Sequence, residues 1–327
     1  MRKPYILILI LCLLLCSGCR KQIREPAQPQ NLIRVGFSQV GSESDWRIAN
    51  TKSMSEALCE ENGFELLMDN AKQKQENQFL AIRNFIQQEV DYIVIAPISE
   101  YGWDSVLEEA RDAGIPVIII DRQIQVEDDS LYTCWVGSDF YAEGRTAVQW
   151  LDKKLKDRTE DPVRILHIQG TDFATAQLMR TKALEDGVAA HDNWEIVAQL
   201  KGEYTEAKAY ELVRDFLQSG QEFDVIYSEN DNMTFGAIRA LNEVGVTYGP
   251  LGDVTIVSFD AVREAMEFCL NGKIDLCVEC NPLHGNQVAE IIRQLEEGDT
   301  PPKMIYMEEN SFTAARLTTE FIEAREY

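Results

Sequence analysis

From Ile33 onward, apolar residues come in short β-branched runs separated by stretches of helical periodicity. Runs begin near Ile33, Glu65, Tyr92 and Val117. Helix-like stretches Asp45–Asn62, Gln75–Gln88 and Trp103–Ala113 follow the first three. In the second stretch Phe79, Ile82, Phe85 and Ile86 share one face at three- and four-residue spacing. Strand, helix, strand at this rhythm predicts a parallel sheet with helices on both faces. The pattern then repeats, with runs near Val163, Glu195, Val225 and Thr255. Asp91-Tyr92-Ile93-Val94-Ile95 is echoed by Asp224-Val225-Ile226-Tyr227, and Pro116-Val117-Ile118-Ile119-Ile120-Asp121 by Val254-Thr255-Ile256-Val257-Ser258-Phe259-Asp260. The expected architecture is α/β, with two doubly wound parallel-sheet lobes.

The segment ahead of Ile33 has a different character. Arg2 and Lys3 precede an apolar run from Ile6 to Cys16, too short to span a bilayer as a mature helix and suited to a signal-peptide core. Cys16-Ser17-Gly18-Cys19 closes it and looks like a lipobox, although Cys16 stands where leucine is usual. The expectation is a leader over 1–18, a lipid anchor on Cys19 and a polar tether over 19–31. The rest of the chain is long enough for two lobes of ordinary domain size.

Charge narrows the partners. The chain carries 55 acidic against 31 basic residues, net −24, which argues against nucleic acid and against broad contact with anionic lipid. Beyond the leader and Cys19, the cysteines are Cys59, Cys134, Cys269, Cys277 and Cys280. Cys277 and Cys280 form a lone CxxC in a strand-like run, with no second CxxC to complete a zinc site. Free, mostly buried thiols are expected, and one disulfide stays open. No cofactor or metal is anticipated. GxSxG, HExxH, Walker A and GxGxxG are all absent, and His167, His191 and His284 are scattered, so an enzyme is the weakest reading.

In open parallel sheets ligands bind at the carboxyl ends of the strands. The first lobe places Glu43, Trp46 and Arg47 after its first strand and Asp121-Arg122 after its fourth; the second places Gln169-Gly170, Gly202, Glu229-Asn230-Asp231 and Asp260. Taken singly, Asp121, Asn230 and Asp260 are equally helix caps. Taken together, one rule puts them at one edge. Acids, amides and arginines beside an aromatic plate, Trp46 or Trp103, suit a sugar, whose hydroxyls both donate and accept and whose C–H face is apolar.

At these strand ends the chain resembles the type I periplasmic sugar-binding family. The segments are Val35-Gly36-Phe37-Ser38-Gln39-Val40-Gly41, Glu43-Ser44-Asp45-Trp46-Arg47, Gln73 to Gln78, Ile95-Ala96-Pro97 with Gly102-Trp103, Asp121-Arg122, Asn230 to Met233 and Phe259-Asp260. The resemblance implies ligand contacts at Glu43, Trp46, Arg47, Asp121, Arg122, Arg180, Asn230, Asp260 and Glu279. It implies three crossings between lobes, near Ser138, Glu279 and Met304, hence lobes of 32–138 with 280–304 and 139–279 with 305–327. It implies a monomer that binds a monosaccharide, galactofuranose first, and hands it to an ABC permease. A sensory lipoprotein serving a membrane histidine kinase would use the same residues, so that alternative stays open.

Overall fold

The computed structural model describes residues 31–159 and 161–327. The leader, Cys19 and all but the last residue of the expected tether lie outside the described residues. The first sheet is built from β1 (Ile33–Gln39), α1 (Asp45–Ala57), β2 (Phe64–Asn70), α2 (Gln75–Gln87), β3 (Tyr92–Ile95), α3 (Asp104–Asp112), β4 (Val117–Ile120) and β5 (Cys134–Gly137). The second follows with α4 (Phe140–Leu155), β6 (Val163–Gln169), α5 (Thr175–Ala189), β7 (Trp194–Lys201), α6 (Glu206–Gln218), β8 (Val225–Ser228), α7 (Asp231–Val244), β9 (Thr255–Asp260), α8 (Arg263–Leu270) and β10 (Leu276–Glu279). The chain closes with α9 (Gly285–Glu296), β11 (Met304–Tyr306), β12 (Ser311–Phe312) and α10 (Thr319–Glu323).

The two sheets have the same plan. Their strand orders are β2-β1-β3-β4-β5-β11 and β7-β6-β8-β9-β10-β12. All neighbours are parallel except β12, which runs antiparallel to β10. In each sheet the order reverses beside the first strand, the topological switch point where open α/β sheets gather ligands.

Burial on both faces explains the unbroken apolar runs. Val94, Ile118 and Ile120 enter one core layer with Val35 and Phe37, while Ile93, Ile95, Val117 and Ile119 enter the other. The second sheet divides in the same way: Ile226 and Ile256 go to one side, Val225, Tyr227 and Val257 to the other. Val288, Ala289, Ile291 and Ile292 of α9 complete the first lobe's core, although α9 follows a strand of the second sheet.

Among the described residues the chain passes between the sheets three times: between Gly137 and Phe140, after Glu279, and between Tyr306 and Ser311. The third passage lies later than the expected Met304. β11 pairs with β5 through Met304, Ile305 and Tyr306, so these residues still belong to the first sheet.

Return of α9 to the first lobe requires a close approach to α1. A Cβ on Gly285 would lie 2.1 Å from the Ser53 carbonyl oxygen, a backbone atom that cannot swing away. Gly285→Ala is therefore expected to lower stability by about 1–3 kcal/mol, read as a reduced urea midpoint at unchanged slope. An unchanged midpoint would show that the two helices are free to separate.

Candidate functional site

One cleft between the lobes collects most of the expected residues. Its atom-free space, counted together with its opening to solvent, is about 320 Å³, and it is lined by Glu43, Ser44, Trp46, Arg47, Asp121, Arg122, Phe140, Ala176, Arg180, Tyr204, Asn230, Asp260 and Cys280.

The first lobe's contribution starts at Ser44, whose side chain caps α1 by accepting from the Arg47 backbone N–H at 3.2 Å. That cap turns Trp46 and Arg47 inward. Arg47 donates from Nη2 to Asp121 at 2.7 Å, from Nε to Glu43 at 3.2 Å and from Nη1 to Gln39 at 3.2 Å. Burial alone would lower the arginine's pKa, but Asp121 and Glu43 outweigh it and hold the group firmly charged. Asp121 feels the converse: burial pushes it up, and Arg47 with Arg122 pulls it below the usual carboxylate range. Arg122 also donates to the Ile98 carbonyl at 2.9 Å.

The second lobe answers with Arg180 on α5. It donates to Glu143 at 2.7 Å and to the Glu229 carbonyl at 2.5 Å, and its Nη2 lies 3.8 Å from Asp260. Burial pushes Asp260 well above the ordinary range; Arg180 opposes this, and Asp231 and Asp121 add to it. Asn230 both lines the cleft and caps α7, accepting from the Met233 N–H at 2.9 Å. Asp260 caps no helix, since the N-cap position of α8 is Val262, and Asp121 caps none either, since the next helical turn starts at Asp129 with Asp128 as its cap.

Both acids sit at positive φ, +65° for Asp121 and +103° for Asp260, at the ends of strands that occupy the same place in their sheets. Such backbone costs about 1–3 kcal/mol per residue and collects at binding sites.

Three lining atoms are buried without a hydrogen-bond partner among the described residues: Glu43 Oε2, Arg180 Nη2 and Tyr204 OH. Tyr204 was not among the expected contacts. It reaches the cleft because Gly170 has no side chain; a Cβ there would lie 1.9 Å from Tyr204 Cζ. Gln169-Gly170 at the end of β6 was the one hint in the sequence. Phe140, at the start of α4, was likewise missed.

Two expectations are corrected. Glu279 does not line the cleft; its carboxylate accepts from Arg325 at 2.8 Å, Tyr327 at 2.7 Å and the Asn310 N–H at 2.8 Å, so the C-terminal segment holds it on another side. Trp103 is fully buried core, edge-on to Phe79 and donating to the Ser99 carbonyl at 2.8 Å. Trp46 does line the cleft, with Nε1 donating to the Cys280 carbonyl at 2.7 Å and the Arg47 guanidinium 4.7 Å over its ring.

The lobes also touch one another. Asp45 and Asn232 exchange two bonds, at 3.0 and 2.8 Å; the Gln123 N–H donates to Thr175 at 2.9 Å, and the Glu100 N–H to the Phe173 carbonyl at 3.1 Å. Trp46, Arg47, Asp121, Arg122, Arg180, Asn230 and Asp260 are each at most 5 % exposed, so a ligand enters only when the lobes part.

Residues 35–300 match the model of the periplasmic binding protein domain. The chain belongs to that family. It is thus an exported binding protein rather than an enzyme. Among its relatives is the galactofuranose-binding protein YtfQ of Escherichia coli, 33 % identical over 296 residues, covering 90 % of this chain and 91 % of that one. The periplasmic binding protein component of the arabinose ABC transporter from Shewanella sp. ANA-3, bound to α- and β-L-arabinofuranose, superposes with a TM-score of 0.83 at 39 % identity over 90 % of this chain and 96 % of that one. A Mycobacterium smegmatis structure in complex with β-D-fucofuranose gives 0.83 at 37 % identity, over 87 % and 92 %.

Behind Trp46, His284 packs edge-on to its ring with Nδ1 3.2 Å from Asn50 Nδ2. Burial, with Arg47 adding and Asp121 opposing, depresses its pKa from 6.5 to about 4. Between those values the unfolded chain binds a proton that the folded protein refuses, so stability falls as pH drops from 6.5 toward 4. His284→Gln should remove that component, up to roughly 3 kcal/mol. Urea unfolding of both proteins at several pH values tests it, and parallel pH curves would discount His284.

Proposed function

We propose that this protein is the substrate-binding component of an ABC importer for a monosaccharide in furanose form, galactofuranose first. The observation that carries the reading is the convergence of Glu43 Oε2, Arg180 Nη2 and Tyr204 OH, two donors and an acceptor without partners, in a cleft walled by acids and arginines. A sugar hydroxyl donates and accepts at once, so one compact polyol can meet an acid on one lobe and an arginine on the other. Glu43, Trp46, Arg47, Asp121, Arg122, Arg180, Asn230 and Asp260 are the proposed contacts, joined by Tyr204 and Phe140. Relatives named for galactofuranose, arabinofuranose and fucofuranose support the ring form.

Ligand would favour the closed arrangement because it bonds both lobes. A lipid on Cys19 would keep the protein beside its permease as a monomer. Cys19→Ser should then shift the protein from the membrane to the soluble fraction, and unchanged fractionation would argue against the anchor.

The ligand reading is tested by calorimetry on a panel of furanoses and pyranoses. Heat is expected with galactofuranose or a related furanose, and silence across the panel would overturn the reading. Tyr204→Phe should weaken that binding about five- to tenfold through loss of one hydrogen bond, while wild-type affinity would remove Tyr204 from the contacts.

A further inference from the structure

Behind the cleft, where the chain passes between the lobes, a second cluster gathers that the sugar reading does not require. Glu143 on α4, Cys280 just after β10 and Glu309 between β11 and β12 each bring one oxygen or sulfur within 4.8 Å of the others. Glu143 gives Oε2 to Arg180, and its Oε1 is buried without a partner. Glu309 accepts from Ser138 Oγ at 2.5 Å and from the Asn281 N–H at 2.8 Å, both on Oε1, which leaves Oε2 for another partner. The Cys280 sulfur lies 3.4 Å from Ser138 Oγ.

Two carboxylates held this close in a buried place either keep a proton, as burial and Glu143 favour for Glu309, or take positive charge between them, for which a metal ion displaces the proton. Arg180 answers Glu143 from one side only. Two carboxylate oxygens and a thiolate form a borderline donor set of the kind zinc accepts, and a site with three protein ligands takes water as the fourth. Beside the cluster an open hollow of about 800 Å³, lined by Glu143 and Glu309 with Thr146 and Arg316, gives an entry path and room for water as that ligand. The bonds from Arg180, Ser138 and Asn281 orient the carboxylates as outer contacts do around a metal. A divalent ion with three anionic ligands and Arg180 nearby leaves the cluster close to neutral.

We infer that Glu143, Cys280 and Glu309 form a site for a zinc-class divalent ion at the hinge. Its ligands come from the helix after the first passage and from the second and third passages, so a bound ion ties the three together and stiffens the joint. No sequence motif announces the site, because its ligands lie far apart along the chain.

Cobalt(II) is the probe, added to the metal-free full chain without sugar, so the result stands apart from the reading of the cleft. A thiolate-to-cobalt absorption band in the near ultraviolet is expected to saturate at one equivalent and to vanish on adding zinc. Cys280→Ser should abolish the band. Glu309→Gln, with its fold checked by circular dichroism and melting temperature, should weaken cobalt affinity by at least about tenfold. Absence of a band, or a band that survives Cys280→Ser, overturns the site. Should Cys280→Ser fail to fold, Glu309→Gln decides, and wild-type cobalt affinity in that variant overturns it too.

Discussion

The cleft depends on keeping three buried guanidinium groups answered by negative charge. An arginine taken from water without a partner is among the costliest groups a fold can hold, and breaking a buried pair costs several kcal/mol. The arrangement here is specific: each arginine is answered within its own lobe. Arg47 and Arg122 share Asp121, with Glu43 completing Arg47, all in the first lobe. Arg180 faces Glu143, Asp260 and the Glu229 carbonyl, all in the second. The lobes can therefore part without breaking a buried ion pair. What crosses the cleft is weaker: the neutral bonds of Trp46, Gln123 and Glu100, the Asp45–Asn232 exchange, and the Arg122 guanidinium 5.3 Å over Tyr204.

The same constraint accounts for the backbone. Asp121 and Asp260 stand at positive φ at equivalent strand ends. Aspartate tolerates this region better than most residues. In the first lobe the strained acid is held ionised against buried Arg47 and Arg122, and that charge interaction offsets the strain; in the second, Asp260 lies 3.8 Å from Arg180 with its carboxyl pushed up by burial. A site repeated at the same position in two similar sheets is what duplication of one plan produces, and it gives a ligand two opposed polar surfaces.

Much of this was legible because strand ends are legible. The β-branched runs located eight of the strands to within a residue or so, and the strand-end rule then placed Glu43, Trp46, Arg47, Asp121, Arg122, Asn230 and Asp260 at one edge; all seven line the cleft. The failures share a cause. Glu279 also ends a strand, but the direction of its carboxylate is set by Arg325 and Tyr327, far along the chain, and no local pattern records that pairing. Trp103 has the polar neighbours of a site residue, yet Phe79 and the Ser99 carbonyl claim it for the core. Tyr204 and Phe140 line the cleft through packing alone, one over a glycine and the other at a helix start beside a crossing. The third passage was placed early because β11 is only three residues long, and its membership of the first sheet shows only in its pairing with β5.

These features bear on how binding and closure are linked. A neutral hydrogen bond contributes about 0.5–1.5 kcal/mol net, so the few that join the lobes amount to a few kcal/mol before hinge entropy is counted. Against them stand Glu43 Oε2, Arg180 Nη2 and Tyr204 OH, buried and unpartnered when the lobes meet. Each such atom costs roughly 1–3 kcal/mol, a charged one more. Closure over an empty cleft is therefore close to balanced, and parting the lobes lets water reach all three atoms. A ligand that bonds them reverses the sign of that contribution. Moving a two-state hinge from mostly open to mostly closed needs about 5.5 kcal/mol of differential binding, within reach of three satisfied polar atoms, two of them charged. The atoms that hold the empty cleft open are thus the ones that would let an occupied cleft stay shut.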